Sequence, residues 1–180
     1  MNFFHLAALF LALTLTLFGA AFLVVEIWVI IWGHYKGAPF IRSPRKKIDA
    51  MFELAGVKAG ETVVDLGSGD GTLVIEAAKR GAKAVGVEIN PLLVWYSRRK
   101  IKKAGLQERA QIVKCDLRNY PLHDTDVIFL YLLSGTLEGL REKLSGELKS
   151  GARIISNSFP LSEQRVIMEK DGVFLYHHGG

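Results

Sequence analysis

The sequence predicts an α/β fold: a Rossmann-like, doubly wound, mostly parallel seven-stranded sheet with a C-terminal antiparallel hairpin, preceded by one N-terminal transmembrane helix. Three observations predict it. Apolar segments of strand length alternate with amphipathic segments of helix length across residues 62–157, the signature of repeated β-α units. Two more apolar segments, 165–168 and 173–176, flank Asp171-Gly172, a hairpin turn signal. Residues 6–25 are 20 positions without a charge.

Charge separates the two parts of the chain. Its 180 residues carry a net charge of +5, from 23 Lys and Arg against 18 Asp and Glu. Residues 1–32 hold a single charged side chain, Glu26. A mean hydropathy of +0.21 therefore averages a very apolar start with an ordinary basic domain. These values exclude a disordered, collagen-like or polytopic membrane protein. The one cysteine, Cys115, excludes an intramolecular disulfide framework and a multi-cysteine zinc site. No metal is expected.

The elements follow in order. As a helix, residues 6–25 reach roughly 30 Å, the thickness of a hydrocarbon core. Trp28, Trp32 and Tyr35 stand where an interfacial aromatic belt lies. A cleaved signal peptide is the alternative, opposed by the missing basic n-region and the long apolar run. Lys36, Arg42, Arg45, Lys46 and Lys47 follow the span, and no Lys or Arg precedes it. The positive-inside rule then expects the domain on the cytoplasmic or matrix-equivalent side. Lack of an Arg-rich transit segment favours a prokaryotic membrane. The expected organisation is an anchor at 1–32, a basic connector at 33–42 broken by Gly37 and Pro39, and a globular domain at 43–180.

Ser43-Pro44 reads as an N-cap with proline at the first helical position. Ile48, Met51, Phe52 and Ala55 recur at i, i+3, i+4 and i+7, and Gly56 ends that helix. Strands are expected at 62–66, 84–88, 110–115, 127–132 and 153–157, with helices at 73–80, 91–104 and 137–148. The fourth strand is apolar throughout, as a strand buried on both faces must be.

Chemistry concentrates at the first strand-to-helix turn, Asp65-Leu66-Gly67-Ser68-Gly69-Asp70-Gly71-Thr72. Gly67, Gly69 and Gly71 let a ligand approach the backbone. A dinucleotide fingerprint needs glycine where Thr72 stands. Asp65 and Asp70 would repel a pyrophosphate and attract a cationic amino-acid head. S-adenosylmethionine carries an ammonium and a sulfonium and no phosphate, so it fits. Glu88 ends the second strand, where a carboxylate accepts ribose hydroxyls. Asp116 ends the third, where a polar group meets the adenine amino group. Strand ends at one sheet edge share a crevice, so Gly67, Glu88, Asp116 and Tyr131 should converge.

This constellation resembles the class I, seven-strand methyltransferases over about residues 43–180. A narrower resemblance rests on Ala38-Pro39-Phe40-Ile41-Arg42-Ser43-Pro44, Val85-Gly86-Val87-Glu88-Ile89-Asn90-Pro91, Val94-Trp95-Tyr96-Ser97-Arg98 and Phe129-Leu130-Tyr131-Leu132-Leu133. With the apolar N-terminus, these are similar to the membrane-anchored protein-lysine methyltransferases of mitochondria and their prokaryotic relatives. The mitochondrial members modify the ATP synthase c-subunit or the adenine nucleotide translocase. The resemblance implies S-adenosyl-L-methionine as cofactor. It extends the cofactor-binding set to Ser43, Leu66, Ile89, Asn90 and Leu117 beside Asp65, the three glycines, Glu88 and Asp116. Arg42 stands where proline is usual, Ser134 where prokaryotic relatives often have proline, and the Ser156-Asn157-Ser158-Phe159-Pro160 segment also differs.

A lysine acceptor has a pKa of about 10.4 and must shed its proton before attack. Burial beside a sulfonium lowers that pKa, and an aromatic lining holds the ammonium by cation–π contact. Tyr131 is the candidate for the lining, with Trp95, Tyr96 and Phe159 behind it. The expected partners are a protein with an accessible lysine near the membrane, membrane lipid, and the chain's own Lys36, Lys46 or Lys47 in self-methylation. Nucleic acid is not expected; the cations of 97–103 read as a solvated helix face, with contact to anionic lipid as the alternative. A lipid N-methyltransferase of phosphatidylethanolamine-like substrates and a non-catalytic tethered cofactor-binding module remain open.

Overall fold

The structure is a computed structural model that describes residues 3–36, 41–162 and 164–179. The chain forms two compact units, Met1–Pro39 and Phe40–Gly180. The first holds helix α1 (Phe3–Lys36). Its stretch Leu9–Ile27, with mean hydropathy 2.2, is long and apolar enough to cross a membrane. Within it, the Thr14 and Thr16 hydroxyls donate to the carbonyls of Leu11 and Ala12, each at 2.8 Å. Such back-bonding hides the hydroxyls inside the helix itself. α1 continues through Gly33 to Lys36, into the segment expected to be a connector. A single glycine costs a helix only about 1 kcal/mol, which its neighbours outweigh. Gly37 and Pro39 lie outside the described residues.

The second unit begins with α2 (Arg45–Ala55). Then come β1 (Thr62–Leu66), α3 (Thr72–Lys79), β2 (Lys83–Glu88), α4 (Pro91–Lys103) and β3 (Ala110–Lys114). After a short 3-10 turn at Leu117–Asn119 follow β4 (Val127–Leu130), α5 (Ser134–Glu147), β5 (Arg153–Asn157), β6 (Met168–Lys170) and β7 (Val173–His177). The seven strands form one sheet in the order β3-β2-β1-β4-β5-β7-β6. β3, β2, β1, β4 and β5 run parallel, and β7 and β6 pair antiparallel at the far side. The order reverses between β1 and β4, which opens a crevice at their carboxyl ends.

Strand alternation sends side chains to two apolar layers. Val63, Phe129 and Ile155 face Met51 and Phe52 of α2 and Val74 of α3. Val64, Ile128, Leu130 and Ile154 face Leu140 and Leu144 of α5. Phe129 is fully buried, and its ring centroid lies 5.0 Å from that of Phe52. Phe129→Ala is expected to cost about 3–5 kcal/mol, read as a lowered urea midpoint with unchanged slope.

Several boundaries differ from expectation. Pro44, with ψ of 149°, is itself the N-cap of α2, and its carbonyl accepts the N–H groups of Lys47 and Ile48. Ser43 does not cap; its hydroxyl accepts from Asn157 Nδ2 at 3.3 Å. β4 ends at Leu130, so 131–133 leave the sheet, and α5 starts three residues earlier than its apolar period suggests. β6 starts only at Met168, although the Ile167 N–H already donates to the Leu175 carbonyl at 2.9 Å. Asp171 and Gly172 both take positive φ, 51° and 67°, as a two-residue hairpin requires.

Candidate active site

The turn after β1 is built on the end of β2. Gly67 and Ser68 both donate their N–H groups to the Val87 carbonyl, at 2.9 and 3.0 Å. Gly67 has φ of 82°, and a Cβ there would lie 3.1 Å from the Leu132 side chain. Gly71 has φ of 72°, and its Cβ would meet Ser97 Cβ at 3.0 Å. Both positions therefore require glycine for conformation and space together. Gly69 is likewise left-handed.

Glu88, the last residue of β2 and buried, braces this turn. Its Oε2 accepts from Gly69 N–H at 2.9 Å and its Oε1 from Asn90 N–H at 2.8 Å. Asn90 then caps α4, its Oδ1 accepting from Leu92 and Leu93 N–H. Ile89 between them is half-buried. Cys115 N–H donates to the Glu88 carbonyl at 3.2 Å, which carries the end of β3 alongside. The next residue, Asp116, accepts from Arg118 N–H and Nε at 3.0 Å each and from Nη2 at 2.6 Å. The Arg118 guanidinium holds the Asp116 carboxyl below its ordinary range. Leu117 is half-buried against the second apolar layer.

The two acids of the turn have opposite surroundings. Asp70 is buried, and burial alone would raise its pKa. Hydrogen bonds from Thr72, Arg42 and Lys100 outweigh that and hold it at about 2. Thr72 Oγ1 donates to its Oδ1 at 2.6 Å, while Arg42 Nε and Lys100 Nζ donate to its Oδ2 at 3.1 and 3.0 Å. Asp65 is 4% exposed and receives no hydrogen bond among the described residues. Burial, then the charges of Glu88 and Asp70, push it up to about 8. Asp70 is therefore already neutralised by the protein, while Asp65 has no such partner among the described residues. Asp70→Ala is expected to lower unfolding free energy by about 2–3 kcal/mol, because it strands Lys100 and Thr72. Arg42→Ala should shift the melting midpoint less, since that side chain is 64% exposed.

Tyr131 leaves the sheet one residue after Leu130, which pairs with Leu66, and so emerges beside Gly67. It is half-buried, and its hydroxyl makes no hydrogen bond among the described residues. Leu66 is fully buried in the core, so only its main chain faces the turn. Ser43 stands apart from these, before α2 and against Asn157 at the end of β5. Trp95 lies on the exposed face of α4, and Phe159 packs in the second apolar layer. Lys46 pairs with Asp171, and Lys47 donates to Ser158 Oγ, each on the hairpin side of the unit.

The cations of α4 are not all a solvated face. Lys100 reaches Asp70, and Arg98 donates through Nε and Nη2 to the Ile112 carbonyl at 3.0 and 2.7 Å. The signal was available: Val94, Ser97 and Ile101 form the buried stripe, and Lys100 lies beside Ser97 at i+3.

A donor-free buried carboxylate beside a glycine cradle fits a ligand with a cationic amino-acid head, and it opposes a pyrophosphate. Glu88 and Asp116 stand at the ends of neighbouring strands beside the glycine turn, each already accepting hydrogen bonds from the protein. Comparisons with known proteins identify the family. The sequence profile of the ANTKMT methyltransferase domain matches residues 65–167. A protein-lysine N-methyltransferase of Saccharolobus islandicus is 37% identical over 148 residues, covering 77% of this chain and 92% of that protein. The lysine N-methyltransferase of the ATP synthase c-subunit from Mus musculus is 37% identical over 122 residues. That match covers 68% of this chain and 49% of the mouse protein, so the chain spans about half of its length. The crystal structure of an RNA methyltransferase from Salinibacter ruber in complex with S-adenosyl-L-homocysteine is 33% identical. It superposes with a TM-score of 0.71 over 77% of this chain and 92% of that one. With two buried acids beside the glycine turn and this kinship, the chain belongs to the ANTKMT methyltransferase domain family, S-adenosylmethionine-dependent enzymes of the class I α/β fold.

Proposed function

We propose that this chain is a membrane-anchored enzyme that transfers methyl groups to the ε-amino group of protein lysines. The observation that carries the reading is Asp65, a buried carboxylate without a donor, at the crevice where the sheet order reverses. When bound, the cofactor supplies an activated methyl group on a positive sulfur. Asp65 holds its ammonium. Glu88, fixed by Gly69 and Asn90, accepts from its ribose hydroxyls with the remaining lone pairs, and Asp116 meets the adenine amino group. Ser43, Leu66, Ile89 and Leu117 complete the surroundings through main chain and packing.

Methyl transfer needs positioning and desolvation of the nucleophile more than acid–base chemistry. Tyr131 supplies an aromatic face at the mouth of the crevice, which holds a lysine ammonium by cation–π contact. A low-dielectric approach beside a cation favours loss of the lysine proton to water. A free amine held there would take the methyl group that the cofactor supplies, its new N–C bond replacing the C–S bond. The names of the Saccharolobus and mouse relatives support lysine as acceptor. Helix α1 is read as the anchor, on the strength of its length and composition, and it restricts acceptors to lysines near the bilayer. Lysines 36, 46 and 47 of the chain itself belong to that class.

A lipid N-methyltransferase is the second reading, favoured by the same apolar helix. The test uses the full chain in vesicles with tritiated adenosylmethionine and a membrane-protein extract. Tritium in methyl-lysine after acid hydrolysis of protein is the expected result. Tritium confined to the lipid extract would overturn the lysine reading, and binding without transfer to either pool would overturn both.

A further inference from the structure

α4 and the edge strand β3 enclose an open groove of about 440 Å³, lined by Trp95, Arg98, Arg99, Lys102 and Lys114 among others. Some nearby cations are paired: Arg42 and, on α4 itself, Lys100 with Asp70, and Arg118 with Asp116. Among the described residues, none of the four groove cations contacts a carboxylate. Arg98 spends two donors on the Ile112 carbonyl, and Arg99 stacks over the Trp95 ring at 4.6 Å. Four cations without a carboxylate partner among the described residues thus share the groove with an indole that is 56% exposed. Leu92, in the first turn of the same helix, is 71% exposed. Exposed aromatic and aliphatic groups ringed by unpaired cations match a surface with anionic phosphates above and hydrocarbon below.

We infer that this groove docks the catalytic unit on anionic phospholipid, with Trp95 entering the headgroup layer and Arg98, Arg99, Lys102 and Lys114 meeting phosphates. The inference rests on the membrane reading of α1, because that helix brings a bilayer to the chain. Lipid is preferred to nucleic acid on the same ground. Each cation near an anionic surface contributes on the order of 1 kcal/mol, about a fivefold change in surface affinity at 1.4 kcal/mol per tenfold. The contact would hold the unit in one orientation, which a single covalent link to an anchor does not.

The full chain carrying Trp28→Phe and Trp32→Phe leaves Trp95 as its one tryptophan. It is reconstituted into phosphatidylcholine vesicles with brominated acyl chains, with and without phosphatidylglycerol. Flotation reports α1, and Trp95 quenching reports the groove. The expected result is flotation with both vesicles and quenching only with phosphatidylglycerol, lost at high salt and lost in Arg99→Glu/Lys102→Glu/Lys114→Glu. The salt arm needs no variant and so does not depend on that triple substitution folding. Flotation with both vesicles but no phosphatidylglycerol-dependent quenching overturns the groove and leaves the anchor standing. Association with phosphatidylglycerol vesicles alone, with quenching, supports the groove and removes the anchor. Absence of association with either vesicle overturns both. A Trp95 response to polyuridylate in place of phosphatidylglycerol overturns lipid in favour of nucleic acid.

Discussion

Replacing Glu88 with alanine is expected to weaken adenosylmethionine binding by roughly 10²–10⁴-fold and to abolish methyl transfer at ordinary cofactor concentrations. Two charge-assisted hydrogen bonds to ribose hydroxyls are lost, each worth about 1.5–3 kcal/mol. The side chain also accepts from Gly69 and Asn90 N–H, so its removal loosens the glycine turn and the start of α4 together. Glu88→Gln keeps the shape and one acceptor, and its loss should be intermediate. Titration calorimetry reads both affinities. A purely structural Glu88 would lower the melting temperature of the alanine variant and leave the calorimetric affinity within a few fold of wild type.

Asp65→Asn carries the second large effect, and it is coupled to pH. In the folded protein this carboxyl is pushed up to about 8, whereas unfolded it titrates at about 3.9. Between those values the folded state holds a proton that the unfolded state has released. Unfolding free energy of the cofactor-free protein therefore falls as pH rises from about 4 to about 8, and levels off above. Asp70 is held at about 2, and Glu76, Asp126 and Glu147 are also held low. Their contributions have the opposite sign: they are present above their unfolded pKa values and are lost as pH falls through the folded ones, which lie lower still. The fall from about pH 5 to about pH 8 is thus the mark of Asp65, and it should vanish in Asp65→Asn. A bound ammonium favours the ionised carboxylate, so cofactor affinity should rise by up to about tenfold per pH unit until about 8. Asp65→Asn should bind weakly at every pH and transfer no methyl. Thermal melts and calorimetry from about pH 5 to about pH 9 test both slopes.

Much of this was legible in the residues. The switch between a period of 2 and a period near 3.6 marks each β-α unit, and Asp171-Gly172 marks the closing hairpin. Carboxyl-end placement of Glu88, Asp116 and Tyr131 follows from the parallel pattern alone, because successive strands of such a sheet end at one edge. What was not legible depends on long-range contacts. Asp65 and Asp70 look alike in the turn, and only Arg42 and Lys100, 28 and 30 positions away in the chain, separate a poised carboxylate from a neutralised one. Arg98 and Lys100 sit in a run of cations that composition cannot divide. Ser43 reads as a helix cap by type, yet Asn157, 114 positions further on, claims its hydroxyl. α1 passes Gly33 because local breakers are weak where a long apolar helix surrounds them.

In the proposed reading, cofactor choice, pH dependence and methyl transfer all depend on Asp65. Its most direct measurement is the number of protons exchanged when adenosylmethionine binds, obtained by calorimetry at about pH 7 in two buffers of different ionisation enthalpy. Wild-type protein should release most of one proton, as the Asp65 carboxyl ionises against the incoming ammonium, and Asp65→Asn should release none. Tight binding by wild type with no proton released, or with the same release in Asp65→Asn, would contradict it.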